Sequence, residues 1–427
     1  MKNSAYIPRL VDSLVQKHLE AFGAVEITGT MWCGKTWTSQ QHAKSSIRLD
    51  VRANRELAEL SPETALSGEH PHLIDEWQEV PTLWDVVRHA VDDAAGQRGL
   101  YLLTGSSRPA KKQVHHSGSG RISRLRMWPM TLAETGVSAK SVSLKSLFEG
   151  SFATTPTETS LASLADQIVR GGWPDAINVS ADAAKLIPNQ YVDTLLSAQD
   201  NNAPEGERDQ RRFLQSLARN LGSSVKIDTL VTDMGYEVEK AVTETGRKRV
   251  RDLLLFFTGK FVIDAVSGWD APIRSPQRLR TKPRYNFADP SLPAALLGVD
   301  QNGLMGNTQL FGQLFEQLCL RDLNVYSSVL PAAGPSPLFY YRDADGLEVD
   351  AIIELRDGRW GAIEIKLSGT KVAQAEESLL RLKKKITANP AARNKEPSFM
   401  MVLVGLSDYA YQTKNGIYVV PLTALTA

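Results

Sequence analysis

The 427-residue chain carries 49 Lys and Arg against 48 Asp and Glu, a formal net charge of +1. Its 42% hydrophobic and 23% charged residues are those of a folded globular protein and exclude wholesale disorder. With so little net charge, no global field draws the chain to nucleic acid or an anionic membrane, so such binding has to come from local patches.

Cys33 and Cys319 lie far apart and suggest neither a disulfide framework nor a zinc cluster. The densest apolar run, Leu253 to Phe257, is far short of the roughly 18 residues a membrane span needs. Met1 to Pro8 lacks an apolar h-region, so no secretory signal is visible. The expectation is a cytoplasmic protein without membrane contact, built of two or three domains of roughly 100 to 200 residues each.

Ala24 to Thr28 reads as a strand entering a Gly-rich turn. Ile47 to Leu49, His72 to Ile74 and Leu100 to Leu103 read as further short buried strands, while Pro62 to Ala65 and Leu83 to Ala94 carry helical spacing. Strands alternating with helices predict an open parallel α/β sheet. From Ser107 to Arg126 the chain turns basic, with Arg108, Lys111, Lys112, Arg121, Arg124 and Arg126 and no acid among them. Thr154 to Ser163 reads as a surface loop or boundary. Arg211 to Asn220, Lys226 to Asp233 and Thr245 to Phe257 predict three helices, with a strand at Phe261 to Val266 after them. That is the order of a winged helix and of many other small α+β units. From about Phe311 a long helix precedes a strand pair, Leu347 to Leu355 and Arg359 to Leu367, turning at Asp357-Gly358. A charged helix, Ala373 to Ile386, and a final strand, Phe399 to Val404, complete this α/β unit. The expected division is 1–150, 151–285 and 286–427.

Gly29-Thr30-Met31-Trp32-Cys33-Gly34-Lys35-Thr36 fits G-x-x-x-x-G-K-[ST] in full. Such a loop cradles phosphates with its backbone N–H groups, the lysine reaches the β and γ oxygens, and the hydroxyl ligates Mg²⁺. The helix that follows adds its positive N-terminal dipole. Leu73-Ile74-Asp75-Glu76 is the natural second half: Asp75 falls at the Mg²⁺ shell and Glu76 is placed to deprotonate the attacking water. A strand end followed by a capping acid has the same appearance. Thr104 or Ser106, at the end of the next strand, would sit beside the γ-phosphate and sense it, or would simply form a β-turn. Arg121 and Arg124 are candidates for an arginine finger, acting within the chain or from a neighbouring subunit, or are solvated loop residues. Trp32, Trp37, Trp77, Trp84 and Trp128 sit mostly beside these motifs, as core packing and pocket walls.

These residues and others downstream resemble a family of bacterial and archaeal ATPases in which an AAA-type P-loop domain precedes domain of unknown function 4143. The resemblance covers Tyr6-Ile7-Pro8-Arg9, the loop, Leu73 to Gln78, Leu103 to Ser106, Gly120-Arg121, Gly171-Gly172-Trp173-Pro174, Phe287-Ala288-Asp289-Pro290 and Gly346 to Asp350. It implies an ATP-binding AAA+-superfamily core, a winged-helix-like middle section and a C-terminal domain akin to restriction-endonuclease folds. Better-studied AAA+ enzymes usually end the sensor strand in Asn, where Thr104 and Ser106 stand here.

In the C-terminal hairpin, period two puts Glu364 and Lys366 on one face, and pairing across the turn brings Asp350 beside them. Asp350…Glu364-Ile365-Lys366 is similar to the site of PD-(D/E)xK nucleases, with Glu316 on the preceding helix as the extra acid. There two carboxylates hold Mg²⁺ and the lysine positions or activates water. Any amphipathic hairpin with a solvated face has the same pattern. Arg247-Lys248-Arg249-Val250-Arg251 and the later Arg274, Arg278, Arg280, Lys282 and Arg284 are candidate DNA contacts, or a solvated helix face.

The reading is therefore an α/β chain: a P-loop NTPase parallel sheet, a mostly helical winged-helix-like section and a C-terminal α/β PD-(D/E)xK-like domain. The expected function is a Mg²⁺- and ATP-binding AAA+-type ATPase, with DNA and further copies of the chain as candidate partners. An ATP-gated metal-dependent nuclease and a non-enzymatic nucleotide-dependent switch are the alternatives.

Overall fold

The computed structural model describes residues 6–107, 118–197, 203–222, 225–237, 241–272 and 274–427. The chain divides into two units, Met1–Pro129 with Gly259–Phe261, and Met130–Thr258 with Val262–Ala427.

The first unit runs α1 (Asp12–Ala21), β1 (Ala24–Gly29), α2 (Lys35–His42), β2 (Ser45–Arg48), α3 (Arg52–Leu60), β3 (His72–Asp75), α4 (Leu83–Asp93), β4 (Tyr101–Gly105) and β5 (Ile122–Met127). Its five strands are all parallel, in the order β2-β3-β4-β1-β5. Both faces of a parallel sheet are covered, so its strands are apolar throughout rather than alternating. Successive residues accordingly enter opposite cores. Ala24, Ile74 and Leu103 pack with Leu83, Trp84 and Val87 of α4. Val25, Leu73 and Leu102 pack with Val15 of α1. Chain order and strand order part at β1, and the loop that follows β1 opens at the C-terminal end of the sheet, where ligands of open α/β folds bind.

Strand β5 departs from the sequence expectation, in which this stretch is a basic segment flanked by Gly and Ser. Leu125 and Met127 enter the same core as Val25, but Arg124 and Arg126 occupy the alternate positions and hide the apolar pattern. The earlier basic residues Arg108, Lys111 and Lys112 lie outside the described residues.

The second unit begins with β6 (Val142–Ser143), α5 (Leu144–Phe148) and β7 (Thr155–Pro156). Helices follow: α6 (Leu161–Arg170), α7 (Ala181–Ala184), α8 (Leu186–Ser197), α9 (Glu207–Arg219), α10 (Ile227–Met234) and α11 (Glu244–Gly259). Next come β8 (Ile263–Val266), α12 (Gln277–Arg280) and β9 (Arg284–Phe287), with β8 and β9 an antiparallel pair. After α13 (Ser291–Leu297), α14 (Gln301–Gly306) and the 21-residue α15 (Thr308–Ser328), the chain enters its second large sheet. That sheet uses β10 (Ala333–Arg342), β11 (Glu348–Leu355), β12 (Trp360–Lys366), β13 (Phe399–Val404), β14 (Tyr409–Gln412) and β15 (Tyr418–Pro421). Helix α16 (Val372–Ala388) links β12 to β13, and β16 (Leu425–Thr426) pairs with β6.

The order is β10-β11-β12-β13-β15-β14-β7. Ala375, Leu379, Leu382 and Ile386, at helical spacing on α16, pack on Val349, Ile352, Ala362 and Val402. Val404 is thus not the end of the sheet, and β10 also escapes a pattern reading. Its Gly334, Pro335 and Pro337 look like loop residues, yet proline is tolerated on an edge strand, where β10 lies.

Two motifs of the family resemblance meet in this unit at one buried charge cluster. Arg321, 1% exposed, donates to Asp289 Oδ2 at 2.9 Å and to Asp322 Oδ1 at 2.6 Å. Asp289 also accepts from the Gly172 N–H and the Ser291 N–H, each at 2.9 Å. Asp322 accepts from the Leu132 N–H at 3.0 Å. Gly171-Gly172-Trp173-Pro174 and Phe287-Ala288-Asp289-Pro290 are thus tied together as structure. A Cβ on Gly172 would lie 2.2 Å from the Met130 carbonyl oxygen, which requires the glycine.

Candidate nucleotide site and a second polar pocket

Gly29–Thr36 joins the end of β1 to the start of α2. A Cβ on Gly29 would lie 2.2 Å from the carbonyl oxygen of Met127, so the loop can approach β5 only as glycine. Gly34 has φ +97°, the left-handed region glycine adopts freely. Thr30 and Cys33 are fully buried, whereas Trp32 (φ +60°) is 40% exposed. Lys35 is buried, and its ammonium donates to the Thr30 carbonyl at 2.9 Å, within the loop. Met31 is half-buried.

The ends of β3 and β4 complete this site. Asp75 is buried and accepts the Thr36 hydroxyl at 2.9 Å. It also accepts the Thr104 hydroxyl, which in turn accepts the Glu76 N–H at 3.0 Å. Burial raises the Asp75 carboxyl above its ordinary value, against the lowering effect of the Thr104 and Thr36 hydrogen bonds. Glu76 sits at φ +58°, an uncommon conformation for a non-glycine residue and one that concentrates at functional sites. Its carboxylate accepts the Ser106 hydroxyl at 3.1 Å and the Gln78 side-chain N–H. Lys35, Thr36, Asp75, Glu76, Thr104 and Ser106 therefore converge at one end of the sheet. The hydroxyl and carboxylate oxygens of Thr36 and Asp75 are the hard donors that Mg²⁺ takes.

Arg121 and Arg124 are placed elsewhere. Ile122 pairs with Ala24 at the start of β1, whereas the loop begins after Gly29. Five residues of strand at about 3.3 Å each separate the two by roughly 16 Å. Arg121 donates to Asp92 at 2.7 Å. Arg124 donates to the buried Glu26 at 2.8 Å and lies 4.8 Å over the Trp84 ring. Glu26 also accepts the Trp77 indole N–H at 3.0 Å. Trp77 and Trp84 are core residues, and Trp37 is 46% exposed.

A second set of polar residues lies in the other unit. Antiparallel register pairs Ala351 with Ile363, and Asp350 Oδ2 accepts the Ile365 N–H at 2.8 Å. Lys366 Nζ donates to Glu364 at 2.5 Å and to Asp350 at 3.3 Å. Arg284 pairs with Glu348 and lies 3.7 Å from Glu316. Burial first, and the Asp350 charge second, push Glu364 up to about 8 and Glu316 up to about 7. Asp350, Glu364 and Lys366 line a cavity of about 280 Å³ with Arg284, Glu348, Gln374, Ser378 and Arg381. Sequence spacing did not find Arg284, Gln374 or Arg381 as pocket residues, because Arg284 comes from β9 and the other two from α16, elements outside the β11–β12 hairpin. Among the described residues, no group of three or more His, Cys, Asp or Glu is arranged to hold a metal ion.

A family described as an AAA domain matches residues 22–136, and the domain of unknown function DUF4143 matches residues 311–425. The chain carries an AAA domain at its N-terminal side and DUF4143 at its C-terminal side. Between them, residues 161–303 match the domain of unknown function DUF8612. Uncharacterized proteins Mb2031c of Mycobacterium bovis and Rv2008c of Mycobacterium tuberculosis are each 26% identical over 368 residues, covering 83% of this chain and 73% of theirs. Among solved structures, the Walker-type ATPase PABY2304 of Pyrococcus abyssi aligns at 12% identity and a TM-score of 0.41, over 68% of this chain and 96% of that one. The RuvB Holliday junction branch migration motor of Thermotoga maritima aligns at 16% identity and a TM-score of 0.25, over 62% and 89%. The AAA domain contains the loop and the ends of β3 and β4, and its P-loop fold implies nucleotide binding. Asp350, Glu364, Lys366 and Glu316 belong to DUF4143. No helix among the described residues is long and apolar enough to cross a membrane.

Proposed function

We propose that the chain is an AAA+-type ATPase that binds ATP with Mg²⁺ and hydrolyses it, with residues 1–150 as its ATPase segment. The observation that carries this reading is the network joining Thr36, Asp75, Thr104, Glu76 and Ser106 beside the Gly29–Thr36 loop. In it, the loop N–H groups and Lys35 take the β- and γ-phosphates, and Lys35 leaves the Thr30 carbonyl to do so. Thr36 and Asp75 hold the metal ion, whose role is to neutralise charge on the phosphate oxygens. Glu76 accepts the proton of the attacking water, and Ser106 and Gln78 orient its carboxylate. Thr104 fixes Asp75 and the Glu76 backbone at once. Arg121 keeps a finger role in this reading only toward nucleotide held by a neighbouring copy, which makes a homo-oligomer the active form.

The test is Mg²⁺-ATP binding and phosphate release by the parent, Lys35→Ala and Glu76→Gln. Lys35→Ala should lose binding, and Glu76→Gln should keep binding with turnover down about 100-fold or more. Parent-like binding by Lys35→Ala would remove the assignment.

A second reading, a metal-dependent nuclease gated by ATP, draws on the meeting of Asp350, Glu364 and Lys366 in one cavity. It requires strand cleavage with Mg²⁺ or Mn²⁺ that disappears in folded Asp350→Ala and Lys366→Ala. Folded, ATP-binding protein that cleaves nothing leaves DUF4143 as a binding platform in a nucleotide-dependent switch. DNA contact through α11 has competition within the chain. Arg247 pairs with Asp228 at 2.7 Å, Arg249 with Glu205 at 2.6 Å and Arg251 with Glu244 at 2.6 Å. Arg278 likewise pairs with Glu354 at 2.7 Å.

A further inference from the structure

We propose that Arg9 is the positioning residue that holds the phosphate loop in its anion-binding shape. The inference rests on the nucleotide-binding reading above and assigns a task to a residue outside the loop. A loop that turns its N–H groups inward must turn its carbonyls outward, and a buried carbonyl without a partner is costly.

Arg9 is 7% exposed. One guanidinium nitrogen donates to the carbonyl of Cys33 at 2.8 Å, and the other donates to the carbonyl of Trp128 at 2.8 Å. The Cys33 carbonyl and the Gly34 N–H belong to one planar trans peptide and point in opposite directions. Drawing the carbonyl toward Arg9 therefore directs the Gly34 N–H to the other side, where the glycine-flanked cradle lies. The second arm of the fork ties the loop to the end of β5, whose Met127 carbonyl already abuts Gly29. A guanidinium also adds a fixed positive charge beside an anion site, and its rigid fork reaches two carbonyls at once.

Arg9 is itself held in place. Its N–H donates to Asp12 Oδ2 at 2.8 Å, and the Asp12 N–H donates back to the Arg9 carbonyl at 3.1 Å. Asp12 Oδ1 accepts the Tyr6 hydroxyl at 2.7 Å and contacts His42 Nε2 at 3.2 Å. Tyr6 further reaches the Thr38 hydroxyl at 3.2 Å. Thr38 and His42 belong to α2, the helix that the loop opens. Residues 6–12 thus form a strap fastened to both the loop and its helix.

The experiment measures affinity for Mg²⁺-ATP and for AMP by calorimetry in the parent, Arg9→Met, Arg9→Lys and Lys35→Ala, with nucleotide-free melting as the control for folding. We expect Arg9→Met to weaken ATP binding by about tenfold or more, the loss of charged hydrogen bonds. AMP should be affected much less, because it presents one phosphate to the loop. Arg9→Lys keeps the charge without the fork and should fall between parent and Met. If Arg9→Met does not fold, Arg9→Lys decides: weakened ATP binding supports the proposal and parent-like binding overturns it. Equal losses for ATP and AMP, accompanied by a lower melting temperature, reduce Arg9 to structural support and overturn it as well. A parent that binds no ATP defeats the underlying reading instead. A parent that binds ATP, with Lys35→Ala deficient and both Arg9 variants unchanged, defeats only the role of Arg9.

Discussion

In the AAA domain a single hydroxyl links two neighbouring acids. The Thr104 hydroxyl donates to Asp75 and accepts the Glu76 N–H, so one side chain orients both acids. Thr104→Val keeps the shape and removes both bonds, and we expect turnover to fall about tenfold or more while Thr104→Ser keeps it. Steady-state phosphate release separates the two variants. In DUF4143, the raised Glu364 carboxyl sets a pH dependence of stability. Between about pH 4.5 and 8 the unfolded chain has released this proton and the folded chain retains it. Stability then falls as pH rises through that window, and Glu316 acts with the same sign. The urea midpoint of the parent should be lower at pH 8.5 than at pH 5.5, and Glu364→Gln should flatten the difference. The loop, Lys35, Asp75 and Glu76 were legible because phosphate chemistry prescribes residue types at fixed spacing. Arg9 was not, since its partners are backbone carbonyls and leave no pattern in the side chains.

At the scale of elements, periodicity identified those whose apolar residues dominate one face and missed those disguised by their surroundings. The charged α16 was legible from Ala375, Leu379, Leu382 and Ile386. Strand β5 was hidden by Arg124 and Arg126, and β10 by its prolines. Helix α15 carries the clearest energetic consequence. Replacing Arg321 by Met leaves Asp289 and Asp322 buried without their counter-ion, and the loss should be about 3–5 kcal/mol in urea denaturation. Gly172→Ala, forced against the Met130 carbonyl, should destabilise the same unit by about 1–3 kcal/mol. If either variant melts with the parent, the cluster is not what joins the two glycine- and aspartate-bearing motifs.

For the whole molecule, ligand binding to the folded AAA domain alone raises its stability by mass action. Mg²⁺-ATP at about one hundred times its dissociation constant should add about 2.7 kcal/mol, read as a rise in thermal midpoint. Lys35→Ala should show no such rise. A basic-patch reading of DNA binding makes a separate demand, a steep loss of affinity with added salt. Salt-insensitive DNA binding would contradict it.

Composition, periodicity and one phosphate motif by themselves determined the α/β class and singled out the Gly29–Thr36 loop with Asp75 and Glu76, which the fold brings to one end of the sheet. These depend on local chain direction, since a strand, a glycine turn and a helix are written consecutively. Only the tertiary structure decided that Arg121 sits at the far end of the sheet and Arg124 beside Glu26 in the middle of β1, that α11 arginines are paired with acids, and that Arg9 grips the loop. Those outcomes depend on which residues distant in sequence share a hydrogen bond, and on the direction in which parallel strands run. Spacing along a chain carries neither.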